Sequence, residues 1–206
     1  MTSTPALTAL ALVCTLTPSP KPSSSELLAR QVMDALGEHG VTGDLVRVVD
    51  HDVRPGVELD MGDGDEWPAL RAKVMAADVL VLATPIWLGH ASSITQRVLE
   101  RLDAEISETD DEGRQLTYGK VAVVAVVGNE DGAHHVTAEV VQALSDVGFT
   151  VPAGGSTYWV GEAMGSTDYQ DLDETPEKVV QTTRSAATNA AHLARVLKQS
   201  PYPPAS

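Results

Sequence analysis

The sequence predicts an α/β fold in which helices cover both faces of a parallel sheet. Two runs, Val79 to Ala83 and Val121 to Val127, are apolar without alternation, as strands buried on both faces are. Each passes through a short loop into a segment with helical periodicity, so strand and helix units alternate along the chain. The loops are the third sign. Thr84 to His90 carries a proline, a glycine and Trp87, Gly128 to His135 is glycine-containing and polar, and open parallel sheets bind ligands at that carboxyl end.

The first strand is expected over Leu7 to Leu16. Pro18, Pro20 and Pro22 stiffen the loop after it, and Thr15, Thr17, Ser23, Ser24 and Ser25 fill it with small hydroxyls. Leu28, Val32, Ala35 and Leu36 then share a helical face that exits at Gly37 and Gly40. A helix start behind a hydroxyl-rich loop suits a phosphate, although a simple capping turn uses the same residues. The glycine patterns of nucleoside-triphosphate and dinucleotide loops are both missing.

A second strand is expected over Leu45 to Val49. His51 between acids, and the acidic run Met61 to Glu66, read as solvated loops because neither completes a metal-ligand set. Trp67-Pro68 opens a helix containing Leu70 and Val74. After Val79 to Ala83, Thr84-Pro85 is expected to end the strand, since proline cannot donate to the next rung. Trp87 there either offers an aromatic face to a ligand or packs on the neighbouring helix.

Ile94, Val98 and Leu102 form the inner face of the next helix, with Gln96, Arg97, Glu100 and Arg101 expected outside. Glu105, Glu108, Asp110 and Asp111 read as solvated, lacking apolar surroundings that would tune them for proton transfer. Beyond Val121 to Val127, a helix places Val136, Val140, Leu144 and Val147 on one face. His134 and His135 have no cysteine or third histidine at ligand spacing, so no metal site is expected. Phe149 to Pro152 is taken as the last strand. The stretch 157–169, with three aromatics, reads as a lid, an oligomer contact or a packed surface loop. Val179, Thr183, Ala186, Ala190, Ala194 and Leu197 stripe a closing helix, giving one domain over 1–200 and a proline-rich tail over 201–206.

Composition narrows the function. With 14 Lys and Arg against 29 Asp and Glu, the formal charge is -15, which argues against nucleic acid or an anionic membrane surface as a partner. The single Cys14 cannot form an internal disulfide. The apolar run around it has no preceding basic residue and is too short to span a bilayer, so a cytoplasmic location is expected. Cys14 itself reads as a buried thiol at a strand end.

The motifs Cys14-Thr15-Leu16-Thr17-Pro18-Ser19-Pro20 with Ser23-Ser24-Ser25, Ala83-Thr84-Pro85-Ile86-Trp87-Leu88-Gly89 and Gly128-Asn129-Glu130-Asp131-Gly132-Ala133 together resemble the NAD(P)H-dependent FMN reductases of the flavodoxin-like superfamily. The resemblance spans nearly the whole chain. It implies a three-layer sandwich with a five-stranded parallel sheet of order 2-1-3-4-5, FMN as cofactor and NAD(P)H as co-substrate. Thr15, Thr17, Ser23, Ser24 and Ser25 would surround the phosphate. Pro85, Ile86, Trp87, Leu88 and Gly89 would border the ribityl chain and the isoalloxazine, and Gly128, Asn129, Glu130, Asp131 and Gly132 would form a third wall. The resemblance leaves His134 unassigned. No catalytic side chain is required, because the flavin carries the hydride to a quinone, a free flavin or a similar small acceptor. The resemblance further implies a homodimer or homotetramer. Two alternatives share the fold: an electron carrier without a nicotinamide site, and a regulatory protein that has lost FMN.

Overall fold

The computed structural model describes residues 6–204. In chain order its strands are β1 (Leu7–Val13), β2 (Val41–Arg47), β3 (Val79–Trp87), the two-residue β4 (His90–Ala91), β5 (Val121–Gly128) and β6 (Ser156–Val160). The helices are α1 (Ser24–Gly37), α2 (Trp67–Ala76), α3 (Ser93–Leu102), α4 (Ala133–Asp146) and α5 (Glu177–Gln199). All strands except β4 pair in parallel, in the order β2-β1-β3-β5-β6. Counted as five strands, this is the expected 2-1-3-4-5. β4 folds back antiparallel on the end of β3.

Successive strand residues face opposite layers. Ala9, Ala11, Val79, Val81 and Val123 pack under α1 and α5, while Leu10, Leu12, Leu80, Leu82 and Val124 pack under α2, α3 and α4. Both faces are thus covered, which is why the central strands lack alternation. The stripe on α5 is buried as expected, and its run of alanines lets the helix lie close to the sheet. Among the described residues no helix is long and apolar enough to cross a membrane.

Several element boundaries differ from the sequence reading, each for a physical reason. β1 stops at Val13, because Thr15 closes a turn by accepting the Thr17 N–H. β2 begins at Val41, not Leu45, and pairs residue for residue with Leu7 to Val13. It is an edge strand whose Thr42, Gly43 and Asp44 face solvent, so its first half lacks an apolar signature.

β3 continues through Pro85 to Trp87, with Pro85 opposite Val127 of β5. The Ala83 carbonyl points to the β1 side, where it accepts the Cys14 N–H at 2.7 Å. Two residues on, the donor that Pro85 lacks falls on that same side, beyond the last pairing of β1 at Ala83. No rung is lost.

The last strand is Ser156–Val160, overlapping the start of the aromatic stretch 157–169, whereas Thr150 makes only an isolated bridge to Val121. Two charged residues expected at the surface are also buried. Arg101 reaches the loop before α2, donating to the Arg54 and Glu58 carbonyls and the Asp65 carboxylate. Glu105 is fully buried against Arg71, at 2.6 and 2.9 Å.

Candidate functional site

Three loops leave the carboxyl edge of the sheet, after β1, β3 and β5, and enclose a cleft of about 550 Å³. That size suits a small-molecule site. The loop after β1 contributes Thr15, Leu16, Thr17 and Pro22 to Ser25, together with the start of α1. Ser23 caps this helix, its Oγ accepting the Glu26 N–H, and Ser25 and Thr15 are buried.

Arg47, at the end of β2, braces the loop from behind. It donates to the Thr17 carbonyl at 3.1 Å and pairs with Glu26 in the first turn of α1. Burial opposes ionisation of Glu26, yet Arg47 and Arg30 together hold its carboxyl below its ordinary range. The acid closest to the helix start is therefore neutralised by two guanidinium groups.

Pro85, Ile86, Trp87 and Leu88 form the second side. Trp87 is 55% exposed and Leu88 89%, so neither packs into the core. Leu88 adopts φ of +52° and Gly89 of +78°. Both backbone N–H groups donate to Glu130, at 3.0 and 3.1 Å. Behind the turn, Thr84, Ser92 and Thr95 form a buried hydroxyl network, and Ser92 Oγ donates to the Cys14 carbonyl at 2.6 Å. The first two loops are thereby locked together.

Gly128, Asn129 and Glu130 line the third side. Gly89, Asp131 and Gly132 do not line the cleft. Asp131 is exposed, and Gly132 (φ +127°) packs backbone to backbone on Gly89, where a β-carbon would come within 2.9 Å of the Gly89 carbonyl oxygen. The two glycines position the walls without forming them.

A fourth side comes from the stretch 157–169 and the adjoining Gln170, a stretch for which a lid is one of three expected roles. Trp159, Ala163, Met164, Asp168, Tyr169 and Gln170 also line the cleft. Trp159 and Tyr169 pack with ring centroids 5.4 Å apart. Tyr169 donates to Gln31 on α1, and Gln170 N–H donates to Ser24 Oγ at 3.3 Å. The only sequence signal was the cluster of aromatics in 157–169. His134 lies outside the cleft and meets Tyr158 Oη at 3.1 Å.

Chemically the cleft combines polar and apolar walls. Small hydroxyls come from the β1 loop and the start of α1, and apolar side chains from Ile86, Trp87, Leu88 and Trp159. Two buried acceptors, Asn129 Oδ1 and Gln170 Oε1, have no partner among the described residues. An unmatched buried acceptor is unfavourable, so both fit a ligand that brings donors. None of the described lining residues is His, Cys or Lys, and the titratable ones are Glu130, Asp168 and Tyr169. Cys14 is buried in the core on the side of α2, α3 and α4, and burial pushes its thiol up to about 12, so it remains protonated.

The family described as NADPH-dependent FMN reductase matches residues 9–165. A divalent metal cation transporter, MntH, of Mycobacterium bovis is 37% identical over 199 residues, 93% of this chain but 29% of that protein. The chain thus spans under a third of that relative. An 8-demethyl-8-aminoriboflavin-5'-phosphate synthase of Streptomyces davaonensis is 35% identical over 209 residues, covering 96% of this chain and 80% of the synthase. The crystal structure of RosB with bound 8-demethyl-8-formylriboflavin-5'-phosphate superposes with a TM-score of 0.86 at 35% identity, over 96% of this chain and 82% of RosB. An NAD(P)H:quinone oxidoreductase of Methanothermobacter marburgensis has a TM-score of 0.59 at 16% identity, over 90% of this chain and 99% of its own, a likeness of fold alone.

Proposed function

The chain belongs to the NADPH-dependent FMN reductase family, and on that premise we propose that it passes a hydride from NAD(P)H through FMN to a quinone, a flavin or a similar small acceptor. It is an FMN-binding enzyme of the reductase type, with NAD(P)H as reductant. The observation carrying the fuller reading is the convergence of the three carboxyl-end loops on one cleft, to which the α1 side brings small hydroxyls and the β3 loop apolar side chains.

Bound FMN supplies the redox chemistry, accepting a hydride from the nicotinamide and passing reducing equivalents onward. The chain supplies the frame. Thr15, Thr17, Ser23, Ser24 and Ser25, with the first turn of α1, would hold the phosphate. Trp87, Leu88 and Trp159 would border the ring and exclude water from its faces. Asn129 Oδ1 and Gln170 Oε1 would accept from ribityl hydroxyls or ring N–H. Trp87, Leu88 and Met164, the last 98% exposed, rim the opening, which supports a homo-oligomer in which a second copy covers the flavin.

An absorption spectrum before and after FMN addition, followed by anaerobic NADH or NADPH, tests this reading. Uptake and rapid bleaching are expected. Uptake without bleaching by either nicotinamide would point to the electron carrier instead.

The similarity to the aminoriboflavin-phosphate synthase favours a second reading, in which a flavin phosphate in this cleft is the substrate. Mass spectrometry of the flavin recovered after aerobic turnover separates the two. An unchanged FMN mass is expected of a reductase, and a mass altered at the 8-position of the flavin supports the second reading.

A further inference from the structure

Outside the cleft, three side chains of metal-ligating type meet on the surface. His135 and Glu139 stand four residues apart on α4 and so share one face of the helix. His90 arrives on β4, whose pairing to β3 sets it opposite Trp87. Its Nδ1 lies 3.4 Å from Glu139 Oε1, and His135 Nε2 lies 3.1 Å from the same oxygen. The two imidazoles are 5.0 Å apart at an interplanar angle of 73°, and the ligand atoms of all three residues lie within 4.8 Å of one another.

We propose that His90, His135 and Glu139 bind a divalent transition-metal ion of the Zn²⁺ class. In a tetrahedral zinc site with His and Glu ligands about 2.0–2.1 Å from the metal, neighbouring ligand atoms are about 3.3 Å apart. The two distances to Glu139 match that edge. The third closes by rotation of an exposed imidazole. Two imidazoles and one carboxylate suit Zn²⁺ and its neighbours rather than Mg²⁺ or Ca²⁺, which favour oxygen ligands. The fourth position stays open to water. All three residues are exposed, so an ion can reach them freely.

The backbone holding the ligands is already fixed. The Gly89–Gly132 contact and the Glu130 bridge seat the β3–β4 turn against the start of α4. A bound ion would join the same two elements by a direct link further along the helix. The site does not depend on the identity of the ligand in the cleft.

The alternative is a pair of surface ion pairs between protonated histidines and Glu139. Calorimetric titration of the full chain with Zn²⁺ at about pH 7.5 distinguishes them. One equivalent per chain is expected, with binding weakened at least about tenfold in H90A and in E139A and lost in H90A/H135A. Co²⁺ should give a ligand-field spectrum in the wild type that H90A lacks, and Mg²⁺ should not compete. Zn²⁺ should raise the Tm of the wild type but not of H90A, and matching far-UV spectra of the variants establish that they fold. One-to-one Zn²⁺ binding that survives in H90A/H135A, where His39, His51, His134 and His192 remain, overturns the proposal. So does wild-type binding no tighter for Zn²⁺ than for Mg²⁺.

Discussion

Glu130 accepts the backbone N–H of Leu88 at 3.0 Å, and its second carboxylate oxygen accepts that of Gly89 at 3.1 Å. Leu88 is a non-glycine residue at φ +52°, a conformation that costs roughly 1–2 kcal/mol. One carboxylate therefore offsets strain in the turn that carries Trp87. Glu130→Ala should loosen this turn while leaving global Tm nearly unchanged, since Leu88 is exposed. FMN affinity should fall about tenfold, equivalent to about 1.4 kcal/mol, with a smaller loss in E130Q, which keeps one acceptor. Quenching of flavin fluorescence on titration gives both values.

The serines before α1 make a second case. Ser23 caps the helix and Ser25 is buried beside it. Loss of the cap alone costs about 1 kcal/mol of stability. S23A/S25A should therefore unfold at a slightly lower temperature and retain FMN poorly. Riboflavin, which has no phosphate, should bind the variant and the wild type alike. If FMN affinity is unchanged, the two serines do not hold the phosphate.

The parts of the fold legible in the sequence are those buried on both faces. Val79 to Ala83 and Val121 to Val127 declared themselves because every side chain meets a helix layer. The edges did not. β2 exposes Thr42 to Asp44, and β6 mixes the buried Thr157 with the exposed Tyr158, so neither carries a clean period. In the cleft, the three loops at strand ends were readable from glycine, proline and hydroxyl content. The wall from Trp159 to Gln170 arrives through tertiary packing, which no local spacing reports. His90 likewise stands far in sequence from His135, and Arg101 looked solvated only because its partners lie in the loop before α2.

Gly43 supplies a prediction about that illegible edge. A β-carbon there would lie 1.8 Å from the Ala9 carbonyl oxygen on β1, a backbone atom that cannot swing aside. G43A must push β2 away from β1 along paired backbone. Destabilisation of several kcal/mol, at the upper end for a single substitution, is expected. Urea unfolding checks it, and wild-type stability in G43A would mean that β2 can shift register at little cost.

The Arg101–Asp65 pair links stability to pH. Both side chains are fully buried and 2.7 Å apart, and Arg101 also lies 5.7 Å from the Trp67 ring centroid. Burial by itself would raise the Asp65 carboxyl. Hydrogen bonds from the Met61 amide, the Arg101 guanidinium and the Arg54 and Trp67 amides outweigh it, taking the group from 3.8 down to about 2. A pKa depressed on folding stabilises the native state above the unfolded value, and that contribution is lost as pH falls through the folded one. Here it is complete above about pH 5, worth about 2 kcal/mol, and fades as pH falls towards 2. R101M removes one partner of a buried pair and leaves the Arg54 and Glu58 carbonyls without their donor, which should cost about 3–5 kcal/mol at neutral pH. D65N should lose stability at pH 7, and its deficit relative to the wild type should shrink as both are taken from pH 4 towards pH 2. Urea unfolding across that range measures the difference. A deficit independent of pH would assign the effect to packing of the 54–66 loop around Arg101 instead of to the charge on Asp65.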